Sequence, residues 1–185
     1  MTYVRIAAAS PPWAPDVEED LAKLMPAGMA PIGLFRTLAK NPRVLRRIRR
    51  AGLLDPGSVT IRQREIVILR TTALAGAEYE WGVHAAFFGG AAGLGARELH
   101  ATVWLGPDAD CWSAEEQALV RLADELHASA RVSDPTWEAL RSSLAEDAMI
   151  ELLALAGFYR AVSYVVNGTG VPLEPAAPRF PAPQG

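Results

Sequence analysis

The sequence predicts an all-α protein of about eight helices in one helical bundle. Three observations carry this. Helix start signals recur: Thr60 with Gln63 and Ser113 with Glu116 have capping-box spacing, and Asn41-Pro42 and Asp134-Pro135 set a cap residue before a first-turn proline. No segment alternates apolar and polar residues as a half-buried strand does. The stretch from Arg62 to Phe88 holds the densest apolar run, with Ile66 to Leu69 continuous and no charge from Thr71 to Ala77. A helix apolar on all sides belongs in the interior of a fold.

Taken in order, residues 1–15 are Ala- and Pro-rich and read as an arm lying on the body or on a neighbouring subunit. Short helices follow over 17–24 and 31–39. Asn41 caps the next helix, whose Val44, Leu45, Ile48 and Leu53 face inward. Its Arg43, Arg46, Arg47 and Arg50 form a basic stripe, read as a solvated face paired with nearby acids rather than an anion or nucleic-acid contact. Asp55-Pro56-Gly57 is a turn. The central helix covers about 60–76 and stops at Gly76. The next covers about 78–92 and is broken by Gly93 and Gly95. Further helices are expected over 96–104, 113–128, 134–144 and 147–167, with a loop at Gly106-Pro107-Asp108 and Asp134 as N-cap. The Pro-rich tail after Gly170 reads as extended. These features divide the chain into an arm and short helix (1–29), a helical domain (30–175) and a tail (176–185).

Composition narrows the function classes. With 185 residues the chain can bury a sizeable single core. A net charge of −3 favours neither nucleic acid nor an anionic membrane. Cys111 is the single cysteine, so no intramolecular disulfide forms, which suits a reducing cytoplasm. The N-terminus lacks the apolar core of a signal peptide, and no stretch reaches the roughly 20 apolar residues of a membrane span. The expectation is a cytoplasmic protein with no nucleic-acid or membrane partner.

Chemistry concentrates on Glu65, Glu80 and His84. Glu65 opens the apolar block, where a carboxylate must be paired, protonated or solvated. It is either a surface Glu paired with Arg62 or Arg70, or a general acid or base tuned by burial. His84 alone reads as a satisfied core histidine. Glu80 lies one helical turn before it, and a carboxylate there can fix the imidazole tautomer and raise its basicity. Tyr79 and Trp81 flank the pair and either wall a pocket or pack the core. Arg64, Arg70 and Arg160 are candidates to hold a substrate carboxylate in bidentate fashion. No phosphate loop, dinucleotide fingerprint or zinc spacing is present, and neither a metal nor a cofactor is expected.

At these residues the chain resembles the carboxymuconolactone decarboxylase-like family, which includes the alkylhydroperoxidase AhpD. The peroxidase branch has a Glu, eleven residues, Cys-x-x-Cys, three residues and a His. Glu65 and His84 match the outer positions, while Ala77 and Glu80 replace the two cysteines. AEYEWGVH is similar to the cysteine-free members, and ELLALAGFYRAVSYVVNGTGVPLEP to the family's final helix. The resemblance covers about residues 30–175. It implies a homo-oligomer of three or six subunits and a small-molecule substrate. Thiol redox chemistry needs the missing pair. The implied activity is therefore that of a cofactor-independent lyase acting on a small acidic metabolite, lactone acids included, with catalytic Glu65, Glu80 and His84. The alternatives are a non-catalytic binder or scaffold of the same fold, and residual hydroperoxide reduction.

Overall fold

Nine α-helices make up the regular structure of residues 3–183, the part of the chain that the computed structural model describes. They are α1 (Pro15–Ala22), α2 (Gly33–Leu38), α3 (Pro42–Ala51), α4 (Ile61–Leu74), α5 (Glu78–Phe88), α6 (Ala96–His100), α7 (Ala114–Ser129), α8 (Asp134–Arg141) and α9 (Glu146–Thr169). A π-helical turn, Ala101–Leu105, and a 3-10 turn, Gly106–Asp108, join α6 to α7. No strand occurs among the described residues. Residues 1–2 of the arm and 184–185 of the tail lie outside them.

The start signals work as local chemistry requires. Thr60 accepts the amide of Gln63 at 3.2 Å while the Gln63 side chain accepts the Thr60 amide at 2.8 Å, which satisfies two orphan donors at the head of α4. Ser113 and Glu116 do the same for α7. The cap of α8 is one residue earlier than expected. Ser133 accepts from Thr136, and Glu125 of α7 holds both hydroxyls, so tertiary contact selects serine over Asp134.

Helix α4 is the axis of the fold, packed on α5, α7 and α9. Ile66, Val67, Ile68 and Leu69 are all fully buried. Ile66, Val67 and Leu69 join the core with α7, while Ile68 meets Leu155 and Tyr159 of α9 on the other side. Gly76, in the left-handed region at φ +62°, lets the chain reverse so that α5 returns along α4. The α5 helix ends at Phe88, one turn short of the expected 92. The helix expected over 96–104 changes character at Ala101. There Arg70 donates to the carbonyls of Thr102 at 3.0 Å and Val103 at 3.4 Å, which draws them out of an α-helical ladder.

Two chain ends pack on the body. The arm runs beside α9 and α2, with the Arg5 amide on the Thr169 carbonyl and Arg36 and Ala9 bonded to each other. The tail crosses the outer side of α5, where Phe180 packs on Trp81. A side chain at Gly82 would meet the Pro178 carbonyl at 2.5 Å, so this crossing requires glycine. The basic stripe is partly neutralised: Arg46 pairs with Asp16 and Asp20 of α1, and Arg49, one position outside it, with Asp20. One expectation changes. By length and composition α9 is apolar enough to cross a membrane. In this fold Leu152, Leu155 and Tyr159 of α9 pack into the core.

Candidate active site

Glu65 and His84 meet across the α4–α5 hairpin. Glu65 is completely buried, and its carboxylate is held from both sides. Arg64 Nε donates to Oε1 at 2.9 Å, and His84 Nδ1–H donates to Oε2 at 2.8 Å. Glu80, one turn before His84, places Oε1 3.5 Å from His84 Nε2. The four groups therefore alternate in sign, Arg64, Glu65, His84, Glu80, and balance when His84 is protonated. Each buried charge faces an opposite one, which offsets part of the cost of burying it.

Protonation follows from this order. Burial works against a charged imidazole, but hydrogen bonds and charge from Glu65 and Glu80 outweigh it and raise the His84 pKa from 6.5 to about 9. At neutral pH His84 is an imidazolium. Its Nδ1 proton is committed to Glu65, so the proton it can deliver is the one on Nε2. Three His, Cys, Asp or Glu side chains do not converge as a metal site anywhere among the described residues. Here the imidazole stands between the two carboxylates instead of sharing a focus with them.

His84 and Glu80 line a cavity of about 760 Å³ between α2, α3, α5, α9 and the loop after α3. Its walls are apolar: Val83, Phe87 and Phe88 come from α5, Phe158 and Val162 from α9. The Phe88 ring stacks at a tilt against His84, centroids 5.2 Å apart, and the Arg64 guanidinium lies over the same Phe88 ring, 5.2 Å from its centroid. Arg64 also donates to the Leu54 carbonyl at 2.9 Å. This ties Glu65 to the 52–55 loop, in which Leu53 holds a left-handed φ of 49°. A non-glycine residue there costs about 1–2 kcal/mol, a strain set beside the site.

Of the other candidates, Tyr79 and Trp81 do not line this cavity. The Tyr79 hydroxyl accepts the Leu34 amide and donates to Glu174, stitching tail to α2, while Trp81 Nε1 donates to Thr102 Oγ1. Their hydrogen bonds and core contacts explain both. Arg70 pairs with Asp124 of α7 and with the π-turn carbonyls. Arg160 bonds to Tyr164 and His127 and lines a separate cavity of about 570 Å³. Neither guanidinium reaches the His84 cavity, because each leaves its helix on a different side. Arg64 sits behind Glu65 and anchors it.

Two further groups line this cavity, and only one of them, Tyr159, escapes inspection of the sequence. Tyr159 stands edge-on to the His84 ring at 4.8 Å, with no hydrogen-bond partner for its hydroxyl among the described residues. Burial, then the charges of Glu80 and Glu65, push its pKa well above 10, so it stays a neutral phenol. It neighbours Arg160 in sequence, and one position turns a helical residue by about 100°. Arg50 lies at the rim. The helical stripe around it was the available signal. Cys111 is half-buried elsewhere, and burial together with Glu98 pushes its thiol up.

No family model matches the sequence, and no curated protein matches it. Solved structures do match over nearly the whole chain. One is an uncharacterized peroxidase-related protein from Ralstonia eutropha JMP134, described as an alkylhydroperoxidase AhpD core, with 20% identity over 92% of this chain and 93% of that one, TM-score 0.78. A second, from Silicibacter sp. TM1040 and also peroxidase-related, shares 16% identity over 96% and 97%, TM-score 0.78. A third is the debrominase Bmp8 in complex with 2,3,4-tribromopyrrole, at 16% identity over 94% of both chains, TM-score 0.76.

Proposed function

The chain has an AhpD-like helical fold, and on that premise we propose a cofactor-independent proton-transfer lyase acting on a small acidic metabolite, lactone acids included. One observation carries the reading: His84 is held at Nδ1 by Glu65, its Nε2 stands 3.5 Å from Glu80, and His84 and Glu80 line a largely apolar cavity. In decarboxylation the C–CO2 bond breaks and its electron pair remains on carbon as an enolate. The His84 Nε2 proton is delivered to that carbon, and the neutral imidazole takes a proton back from solvent. The imidazolium charge also stabilises the enolate before transfer. Glu65 keeps the ring oriented, and Glu80 holds the charge at the cavity side. At the rim Lys23 and Arg49 are paired with Glu19 and Asp20, and Arg50, with no ion pair among the described residues, is the cation that favours entry of an anion.

The test is a panel of small unsaturated lactone acids and 3-oxo acids, followed by CO2 release and by deuterium uptake from D2O. Turnover by the wild-type protein that His84→Gln abolishes supports the reading. Turnover that His84→Gln leaves intact refutes it. The similarity to a debrominase favours a second reading, in which the cavity takes a halogenated ring. Such a ring would be bound without reductive chemistry by this chain, since Cys111 lies outside the cavity.

The proposal extends to assembly and setting. Ile150, Ala154, Gly157, Ala161 and Tyr164 expose one heptad-spaced strip of α9, suited to a second copy in a trimer or hexamer. A cytoplasmic location suits the single free thiol.

A further inference from the structure

We infer that the cavity beside His84 takes a bulky, largely apolar acid, about the size of a fused-ring carboxylate, whose charge Arg50 meets at the mouth; this rests on the small-acid reading above and narrows it. Size comes first. A cavity of about 760 Å³ lies in the range of about 300–1,000 Å³ that drug-sized ligands occupy. At about 30 Å³ per water molecule, an acid of about six carbons would leave most of that space to water. The water would stand against hydrocarbon. Phe35, Phe87, Phe88 and Phe158 contribute rings to the walls, and Glu80, His84 and Tyr159 are buried, so they add little polar surface. Covering such walls is favourable in proportion to the apolar area removed from water.

The mouth sets where the charge goes. Phe87 and Leu54 line the cavity yet remain 40% and 39% exposed, an apolar lip open to solvent. Of the three cations beside it, Arg49 pairs with Asp20 and Lys23 with Glu19, while Arg50 makes no ion pair among the described residues. Its guanidinium can take one carboxylate on two parallel N–H donors. Asp55 at the same mouth is also without an ion pair among the described residues, so it opposes a second negative charge beside the first. The cations of the buried end are already engaged: Arg64 with Glu65, and His84 with Glu65 and Glu80. The carboxylate at Arg50 is therefore a handle that the reaction leaves in place. A carboxyl to be lost as CO2 is a second one, at the His84 end, beside the Phe88 ring.

Binding of benzoate, 2-naphthoate, 2-naphthamide and 5-oxotetrahydrofuran-2-carboxylate, measured by isothermal titration calorimetry, tests this without catalysis. 2-Naphthoate is expected to bind about tenfold tighter than benzoate, the worth of covering its second ring, and tighter again than the lactone acid. The neutral amide should bind about two- to fivefold weaker than 2-naphthoate, the range of a solvent-exposed ion pair. Arg50→Ala should erase the difference between acid and amide. Phe87→Ala, at a position exposed enough to keep the fold, should reduce the preference for 2-naphthoate over benzoate. Equal binding of benzoate and 2-naphthoate by the wild-type protein, or tighter binding of the lactone acid, overturns the bulky class and leaves the small-acid reading standing. Binding of none of the four overturns both. Equal binding of acid and amide by the wild type, or a difference that survives Arg50→Ala, removes Arg50 as the partner of the charge.

Discussion

Raising the pH from 6 to 10 should destabilise the protein through His84, and the size of the effect follows from its surroundings. In the unfolded chain the imidazole titrates near 6.5; in the folded protein Glu65 and Glu80 hold it to about 9 against burial. Below 6.5 both states carry the proton and the stabilisation is complete. Between 6.5 and 9 the unfolded chain has lost the proton that the folded one keeps, so stability falls as pH rises, and above 9 the contribution is gone. The rise from 6.5 to about 9 corresponds to about 3 kcal/mol. For a chain of this length that is about 6–12 °C in melting temperature. The assay is thermal or urea unfolding at pH 6, 7.5, 9 and 10 for wild type, His84→Gln and Glu65→Gln. The decline should be steep in wild type and absent in His84→Gln. It should be much reduced in Glu65→Gln, where Arg64 is left beside His84 without the carboxylate that separates them at 2.9 and 2.8 Å. A wild-type curve flat across this window, or the same decline in His84→Gln, would refute the charged-histidine reading.

Three further outcomes are expected. With a turned-over substrate in hand, His84→Gln should keep the fold and lower kcat at least about a hundredfold, measured by steady-state kinetics with circular dichroism as the control. An organic hydroperoxide with a dithiol reductant should not be reduced at a meaningful rate, because Ala77 and Glu80 occupy the redox-pair positions and burial disfavours the Cys111 thiolate; robust turnover lost in Cys111→Ser would contradict this. Light scattering at micromolar concentration should show a trimer or hexamer that Gly157→Arg dissociates, and a monomeric wild type would sink the assembly proposal.

Much of the architecture was legible because it is encoded locally. Capping pairs such as Thr60 with Gln63 satisfy backbone donors within four residues, so they mark helix starts whatever the rest of the chain does. The i, i+4 spacing of Glu80 and His84 is likewise a helical property, and it sets them 3.5 Å apart. The uncharged, apolar run through Ile68 and Leu69 could only be a core helix. What depends on neighbours was not legible. Ser133 displaces Asp134 as a cap because Glu125 arrives from α7. Arg70 bends 101–105 into a π turn because a carbonyl lies within its reach. Rotation about a helix axis separates Tyr159, which faces His84, from Arg160, which faces away, and a single sequence gives no phase for that rotation. Local chemistry thus determined which residues are helical and which could carry a proton. The turn at Gly76, with Glu65 nearly three helical turns before it and His84 two after, already lets those two meet across the hairpin. Only tertiary packing decided that Arg64 anchors instead of binding and that Glu80 keeps one oxygen unpartnered, since burial and pairing are properties of the space between helices.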